Sequence, residues 1–152
     1  MKSILKFFMA IYVGLYRLSK GQIGGQMGES KVLLLTTTGR KSGKARTTPL
    51  GCFDHKDGYV IVASNRGQPT HPAWYHNLKS QPQVSVQVFD KVMPATAEIL
   101  TGEARAQAWQ QVIATAPSYA GYQKQTTREI PLVLLRPGGW SRGDTLTGTR
   151  AS

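Results

Sequence analysis

The chain has 152 residues, the size of one domain that buries roughly two thirds of the surface its unfolded form exposes. Its 40% hydrophobic and 18% charged residues exclude wholesale disorder, and its single cysteine, Cys52, excludes an internal disulfide framework and leans toward a cytoplasmic setting. A net charge of +11 calls for an anionic partner: a nucleic acid, a lipid surface or an acidic small molecule.

The charge is local. Residues 1–50 hold nine basic residues and one acid (+8), whereas residues 51–152 hold ten and seven (+3). Residues 1–20 carry Ile4, Leu5, Phe8, Ile11, Tyr12, Leu15 and Leu18 at three- and four-residue steps, which predicts an amphipathic helix with Lys2, Lys6, Arg17 and Lys20 at its rim. Its apolar centre, Phe7 to Tyr16, is too short to cross ~30 Å of hydrocarbon. Two placements stay open: packing on the domain or a second subunit, or lying peripherally on an anionic membrane, the inner face of the cell membrane for a cytoplasmic protein. Residues 21–30 are glycine-rich and read as a flexible link.

Residues 31–137 form the predicted body. Lys31 to Thr38 is apolar and β-branched, a buried strand ending at Gly39. Arg46 to Asp54 resumes as a strand, with Pro49 marking an edge or bulge, and Tyr59 to Ala63 follows a Lys-Asp-Gly turn. A short helix is expected from His71-Pro72-Ala73-Trp74 to Pro82. Val84 to Phe89 and Val92 to Leu100 alternate as a hairpin. Ala104, Ala108, Val112 and Ile113 share a helical face, a second short helix covers Tyr119 to Thr126, and Ile130 to Leu135 is a last buried strand. The tail, 138–152, lacks an apolar pattern and reads as flexible. Six mostly antiparallel strands with short peripheral helices predict a small closed or half-closed barrel of the α+β class.

Three clusters can carry chemistry. The turn Gly39-Arg40-Lys41-Ser42-Gly43-Lys44-Ala45-Arg46 concentrates four cations and a hydroxyl between two glycines, a backbone and side-chain cradle for phosphate or carboxylate. Its glycines are too close for a P-loop, and a strand follows it instead of a helix. A solvated, edge-protecting hairpin tip is the plain alternative. The second cluster, Ala63 to Leu78, is a polar loop entering a helix rich in Trp, Tyr and Asn, able to hold a flat ring. His71 and His76 are five residues apart, a poor spacing for metal ligation on one helix, so no metal site is expected. His55 is expected to be exposed, and Cys52 to be a core residue. The third cluster holds Tyr119 and Tyr122 on one helical face, where phenols either wall a pocket and donate protons or simply pack in a core.

With these clusters in this order, the chain resembles the deazaflavin-dependent nitroreductase and quinone reductase family, split β-barrel oxidoreductases that use coenzyme F420. The matching stretches are LLLTTTGRKSGKARTTPL (33–50), VASNRGQPTHPAWYHNLKSQPQV (62–84) and PSYAGYQKQTTREIPLVLL (117–135). The resemblance implies hydride transfer from reduced F420 to a quinone, nitroaromatic or similar acceptor, with the cofactor supplying the chemistry. It further implies that Arg40, Lys41, Ser42 and Arg46 grip the cofactor's phosphate and oligoglutamate tail. Thr47, Thr48, Pro49, Leu50 and Gly51 line the way to the ring. Val62, Ala63, Ser64 and Asn65 contact it from the facing loop, and Ala73, Trp74, Tyr75, His76 and Asn77 lie beside it. Tyr119 and Tyr122 border the acceptor pocket, with Tyr119 also at the cofactor, and Tyr119, Tyr122 or Ser64 supplies the proton. Thr70 departs from the pattern, standing where many relatives have a basic residue. Two other readings fit the same barrel: an FMN-dependent reductase or oxidase, and a carrier that binds deazaflavin without turnover. No nucleic-acid partner is expected: only the charge suggests one, and the basic residues lack interleaved aromatics. A homodimer is compatible with the sequence.

Overall fold

The computed structural model describes residues 2–28 and 30–138; most of the predicted tail, 139–152, lies outside the described residues. Its elements are α1 (Lys2–Ser19), β1 (Gln26–Met27), β2 (Ser30–Thr38), β3 (Ala45–His55), β4 (Gly58–Val62), α2 (Ala73–Ser80), β5 (Gln83–Val88), β6 (Lys91–Ile99), α3 (Gly102–Thr115), α4 (Ser118–Lys124) and β7 (Leu132–Pro137). The strands run antiparallel in the order β1-β2-β3-β4-β7-β6-β5, and β5 pairs back onto β2. Six of them, β2 to β7, therefore close into the expected small barrel, and closure removes most exposed strand edges.

The apolar runs become intelligible once both sides of a strand are covered. In β2, Leu33 and Leu35 point into the barrel core, while Val32 and Leu34 pack under α1 with Tyr16. In β7, Val133 and Leu135 face inward, and Leu132 and Leu134 lie against α3 through Ala108 and Val112. Alternation of side chains thus puts every residue of these two runs against protein, which is why they read as continuous hydrophobic stretches. Each fully buried leucine contributes about 1.5–3 kcal/mol by area. Trp74 and Leu78 of α2 join the barrel core. Pro49 sits opposite Leu34 of β2, in the part of β3 that precedes its pairing with β4 at Cys52. One flank of β3 is open there, so the missing N–H breaks no ladder.

Two expectations change. The glycine-rich segment is folded onto the barrel: β1 pairs with β2, and Gly21, at φ 83°, lies so close to Phe89 that an added Cβ would sit 2.6 Å from its Cα. The N-terminal helix also buries a different face from its most hydrophobic stripe. Tyr16 is fully buried and Tyr12 and Val13 pack beside it, whereas Ile4, Leu5, Phe7, Phe8, Ile11, Leu15 and Leu18 are exposed. The Tyr16 hydroxyl explains this choice. It donates to the Val32 carbonyl at 2.8 Å and accepts the Phe89 N–H at 2.8 Å, satisfying barrel groups that a leucine would leave unpaired. The Tyr12 hydroxyl donates to the Gly24 carbonyl. Among the described residues, no helix is long and apolar enough to cross a membrane.

Candidate active site

The turn between β2 and β3 is tightly built. Gly43 N–H donates to the Gly39 carbonyl and Gly39 N–H to the Lys44 carbonyl, both at 2.8 Å. Ser42 Oγ accepts the Lys44 N–H at 3.2 Å, which leaves its hydroxyl proton free to donate outward. Asn77, buried on α2, accepts the Arg40 N–H at 3.1 Å and donates to Thr37 Oγ1 at 3.1 Å. The Asn77 amide is therefore a strut between helix and turn.

This turn forms one wall of a cleft of about 880 Å³. Gly39 to Ser42, Ala45 to Thr48 of β3, and Ala73, Trp74 and Asn77 of α2 line it on the barrel side, while Leu5, Lys6, Met9, Ala10, Val13, Gly14 and Arg17 roof it from α1. Lys6 and Arg17, expected at the rim of the helix, line this cleft. Arg17 Nη2 donates to Thr47 Oγ1 at 3.1 Å, and Thr47 shares a 2.8 Å hydrogen bond with Thr36. The lining carries Lys6, Arg17, Arg40, Lys41 and Arg46, and none of the described lining residues is acidic. Among the described residues, none of these five cations pairs with a carboxylate. That donor set fits a long polyanion bearing a phosphate and carboxylates, and it fits poorly to a neutral ligand.

A second cavity, about 530 Å³, opens farther along β3. Gly51, Gly28, Ser30 and Val32 form its barrel side, and Ala116, Pro117, Ser118, Tyr119 and Tyr122 close it. The two tyrosine rings stand edge to face at 5.9 Å, and Tyr119 packs on Phe53 at 5.8 Å. Burial first, and neighbouring Tyr122 second, hold the Tyr119 phenol above its ordinary pKa, so it keeps its proton at neutral pH. Thr48, on the cleft, and Gly51, on the tyrosine cavity, are three residues apart, ~10 Å along an extended strand.

The remaining expected site residues divide. Pro49 and Leu50 lie on the β3 stretch between the cavities without lining either. Val62 and Ala63 are buried, and Ala63 belongs to the barrel core. Ser64 and Asn65 lead the following loop, with Asn65 Nδ2 donating to the Thr70 carbonyl at 2.9 Å. Tyr75 and His76 leave the cleft on the opposite side of α2, where both stack around His71. Positions 73, 74 and 77 share one helical face and 75 and 76 another, a division that the period of 3.6 contained. Cys52 is in the core, and burial pushes its thiol up to about 12. His55 is half-buried and accepts the Asp57 N–H across its turn.

The model of the F420H(2)-dependent quinone reductase family matches residues 9–137. The chain belongs to this family. It is 40% identical over 131 residues to an F420H(2)-dependent quinone reductase of Mycobacterium tuberculosis (strain H37Rv), covering 84% of this chain and 88% of that protein. Among solved structures, an F420-H2 dependent reductase is 46% identical, with a TM-score of 0.64 over 69% of this chain and 93% of that one. A structure described as a domain-swapped dimer is 38% identical, with a TM-score of 0.68 over 87% and 98% of the two chains. The protein is thus an F420-dependent oxidoreductase that passes hydride to a quinone, and family membership selects F420 over FMN and catalysis over simple carriage.

Sequence reasoning missed three contributors. Lys6 and Arg17 were separable from the other basic residues of the N-terminal segment only by knowing which face of α1 the barrel takes. Arg128, inside the matching stretch, carries no motif of its own, yet its guanidinium bonds the carbonyls of Ala63, Ser64 and Gln68 and the ring of His71.

Proposed function

We propose that the phosphate and oligoglutamate tail of F420 lies in the cleft between α1 and the 39–46 turn, with the ring directed along β3 toward Tyr119 and Tyr122. The cleft supports this reading most directly: among the described residues it gathers five cations that pair with no carboxylate and the Ser42 hydroxyl, has no acidic lining, and ends ~10 Å from the cavity walled by Tyr119 and Tyr122. Bound there, the reduced deazaflavin supplies the two-electron hydride.

The residues then have separable tasks. Arg40, Lys41 and Arg46, opposed across the cleft by Lys6 and Arg17, neutralise the tail, and Ser42 donates to a phosphate oxygen. Trp74 and Ala73 wall the cleft, and Asn77 holds the turn in register. Tyr119, with its raised pKa, retains a proton to donate as charge develops on the acceptor oxygen, and Tyr122 orients the acceptor beside it. Quinones are the acceptor class of the family, and nitroaromatics are alternative electron sinks for the same donor. The test is a panel assay: oxidation of reduced F420 by menadione and other quinones, with NADPH as control donor. Faster turnover with NADPH, or none with F420, overturns the reading.

The exposed apolar face of α1 supports a peripheral seat on an anionic membrane, on the inner face of the cell membrane, where lipid-soluble quinones are concentrated. Phe7 and Phe8 of this helix are more than 60% exposed, and the exposed Lys20 follows its last residue. Phe7→Ser/Phe8→Ser is expected to abolish co-sedimentation with vesicles containing phosphatidylserine while sparing F420 binding. A homodimer is supported by the domain-swapped neighbour, and light scattering decides it.

A further inference from the structure

We propose that Arg128 is a positioning residue for this reaction: its guanidinium fastens the 63–71 loop to the segment after α4 and so sets the distance of the loop bearing Ser64 and Asn65 from α4, the helix of Tyr119 and Tyr122. The inference rests on the functional reading above and assigns a role within it to a residue outside the two cavities.

The geometry is a four-point clamp on one loop. Arg128 Nε donates to the Gln68 carbonyl at 2.9 Å, Nη2 to the Ser64 carbonyl at 2.8 Å, and Nη1 to the Ala63 carbonyl at 3.2 Å and to His71 Nδ1 at 3.0 Å. Among the described residues, no carboxylate pairs with Arg128. Its charge is met by carbonyl dipoles of one loop, so a planar fork with fixed donor directions is required, and the point charge of a lysine does not span the acceptors. The loop needs such a fastening. Asn65 and Arg66 both adopt left-handed backbone, at φ 46° and 55°, a region that non-glycine residues hold only when their surroundings impose it.

The other end of the clamp is tied to α4. Gln123 Nε2 donates to the Arg128 carbonyl at 2.8 Å, and Gln123 Oε1 accepts the Ile130 N–H at 2.9 Å. The loop meets the same helix at Gly67, where an added Cβ would lie 2.7 Å from Gln125 Oε1 and 3.1 Å from the Tyr122 carbonyl. One side chain thus sets the distance between the loop of Ser64 and the helix of the tyrosines.

His71 makes the clamp sensitive to acid. Arg128 only donates, so His71 Nδ1 accepts and the ring proton sits on Nε2. Burial first, then Arg128, His76 and Lys79, hold His71 below its ordinary pKa. The groups around its ring are Tyr75, His76 and Lys79 of α2 and Arg128 of the opposing segment. Protonation removes the acceptor and sets a cation against the guanidinium, which loosens the loop as pH falls.

The experiment measures amide hydrogen exchange of the full chain without cofactor, alongside menadione reduction by reduced F420, for wild type, Arg128→Lys, Arg128→Ala and His71→Gln. Arg128→Lys and Arg128→Ala are expected to lower protection of residues 64–70 by at least about tenfold, with β2, β4 and β7 unchanged, and to lower kcat by a similar factor. Added guanidinium is expected to restore part of kcat in Arg128→Ala. Protection of 64–70 in the wild type falls on acidification, and His71→Gln abolishes that fall. Wild-type loop protection in Arg128→Lys and Arg128→Ala, equal loss of protection across the whole barrel, or a faster-exchanging loop with wild-type kcat would each overturn the proposal. Should both Arg128 variants fail to fold, an acid-induced loss that persists in His71→Gln overturns it. A wild type that keeps a protected, Arg128-dependent loop but does not oxidise reduced F420 refutes the functional reading and leaves the clamp standing.

Discussion

The cleft and the tyrosine cavity lie on the same strand and are built on opposite physical grounds. The cleft is the larger of the two and is lined by long cationic side chains from two distant parts of the chain, α1 and the 39–46 turn. The cavity is smaller and is closed by two phenols, with Tyr119 packed edge to face on Phe53 and on Tyr122. Charge acts over several ångströms and tolerates imprecise placement, so it suits holding a long, flexible tail. Proton donation needs heavy atoms at hydrogen-bond distance, so it suits groups packed against a barrel. Binding and turnover should therefore separate by mutation.

The largest effect tests the cleft. Arg46→Glu is expected to weaken oxidised-F420 binding by roughly a hundredfold at low salt, with the loss shrinking as ionic strength rises. Titration followed by protein fluorescence measures it, and unchanged affinity at low salt would remove the turn from the binding site.

Next in size is the attachment of the roof. Tyr16→Phe leaves the Phe89 N–H and the Val32 carbonyl without this partner inside the fold, a cost of about 1–3 kcal/mol. A lower urea midpoint is expected, together with weaker F420 binding because α1 supplies Lys6 and Arg17. If stability falls with no change in binding, α1 is a structural cover and not a wall of the site.

Tyr122→Phe tests the other side of the comparison. It should lower kcat or shift acceptor preference by about tenfold while leaving F420 affinity near wild type. Equal losses in both would merge the two regions into one binding surface.

The smallest effect concerns Cys52, which faces neither cavity. A thiol held up to about 12 is protonated at neutral pH, so a thiol reagent should label it only after denaturation. Rapid labelling of the native protein would show that the barrel opens beside Gly51.

Much of this was legible residue by residue. Strand runs such as Leu33 to Leu35 and Val133 to Leu135 mark their own burial, because a strand covered on both faces has no polar alternation. The 39–46 turn announces itself by clustering cations between two glycines. The face that α1 buries was not legible. Hydropathy favours Ile4, Phe8, Ile11 and Leu18, yet the barrel takes Tyr16, whose value lies in a hydroxyl that completes the hydrogen bonds of Val32 and Phe89. Period alone separates Trp74 from Tyr75 and His76, but not which of the two faces meets the cleft.

What the sequence by itself determined is the inventory and its local order: a barrel of alternating and doubly covered strands, a cationic turn, and a pair of phenols three residues apart. The tertiary structure decided which distant pieces act together. Arg17 meets Thr47 across 30 residues, and Arg128 reaches back about 60 to close on the loop before α2. The reason is physical. Composition and periodicity record how strongly each residue prefers protein or water, whereas hydrogen-bond partners and charge neighbours are set by closure of the barrel, which brings together segments that share no local pattern.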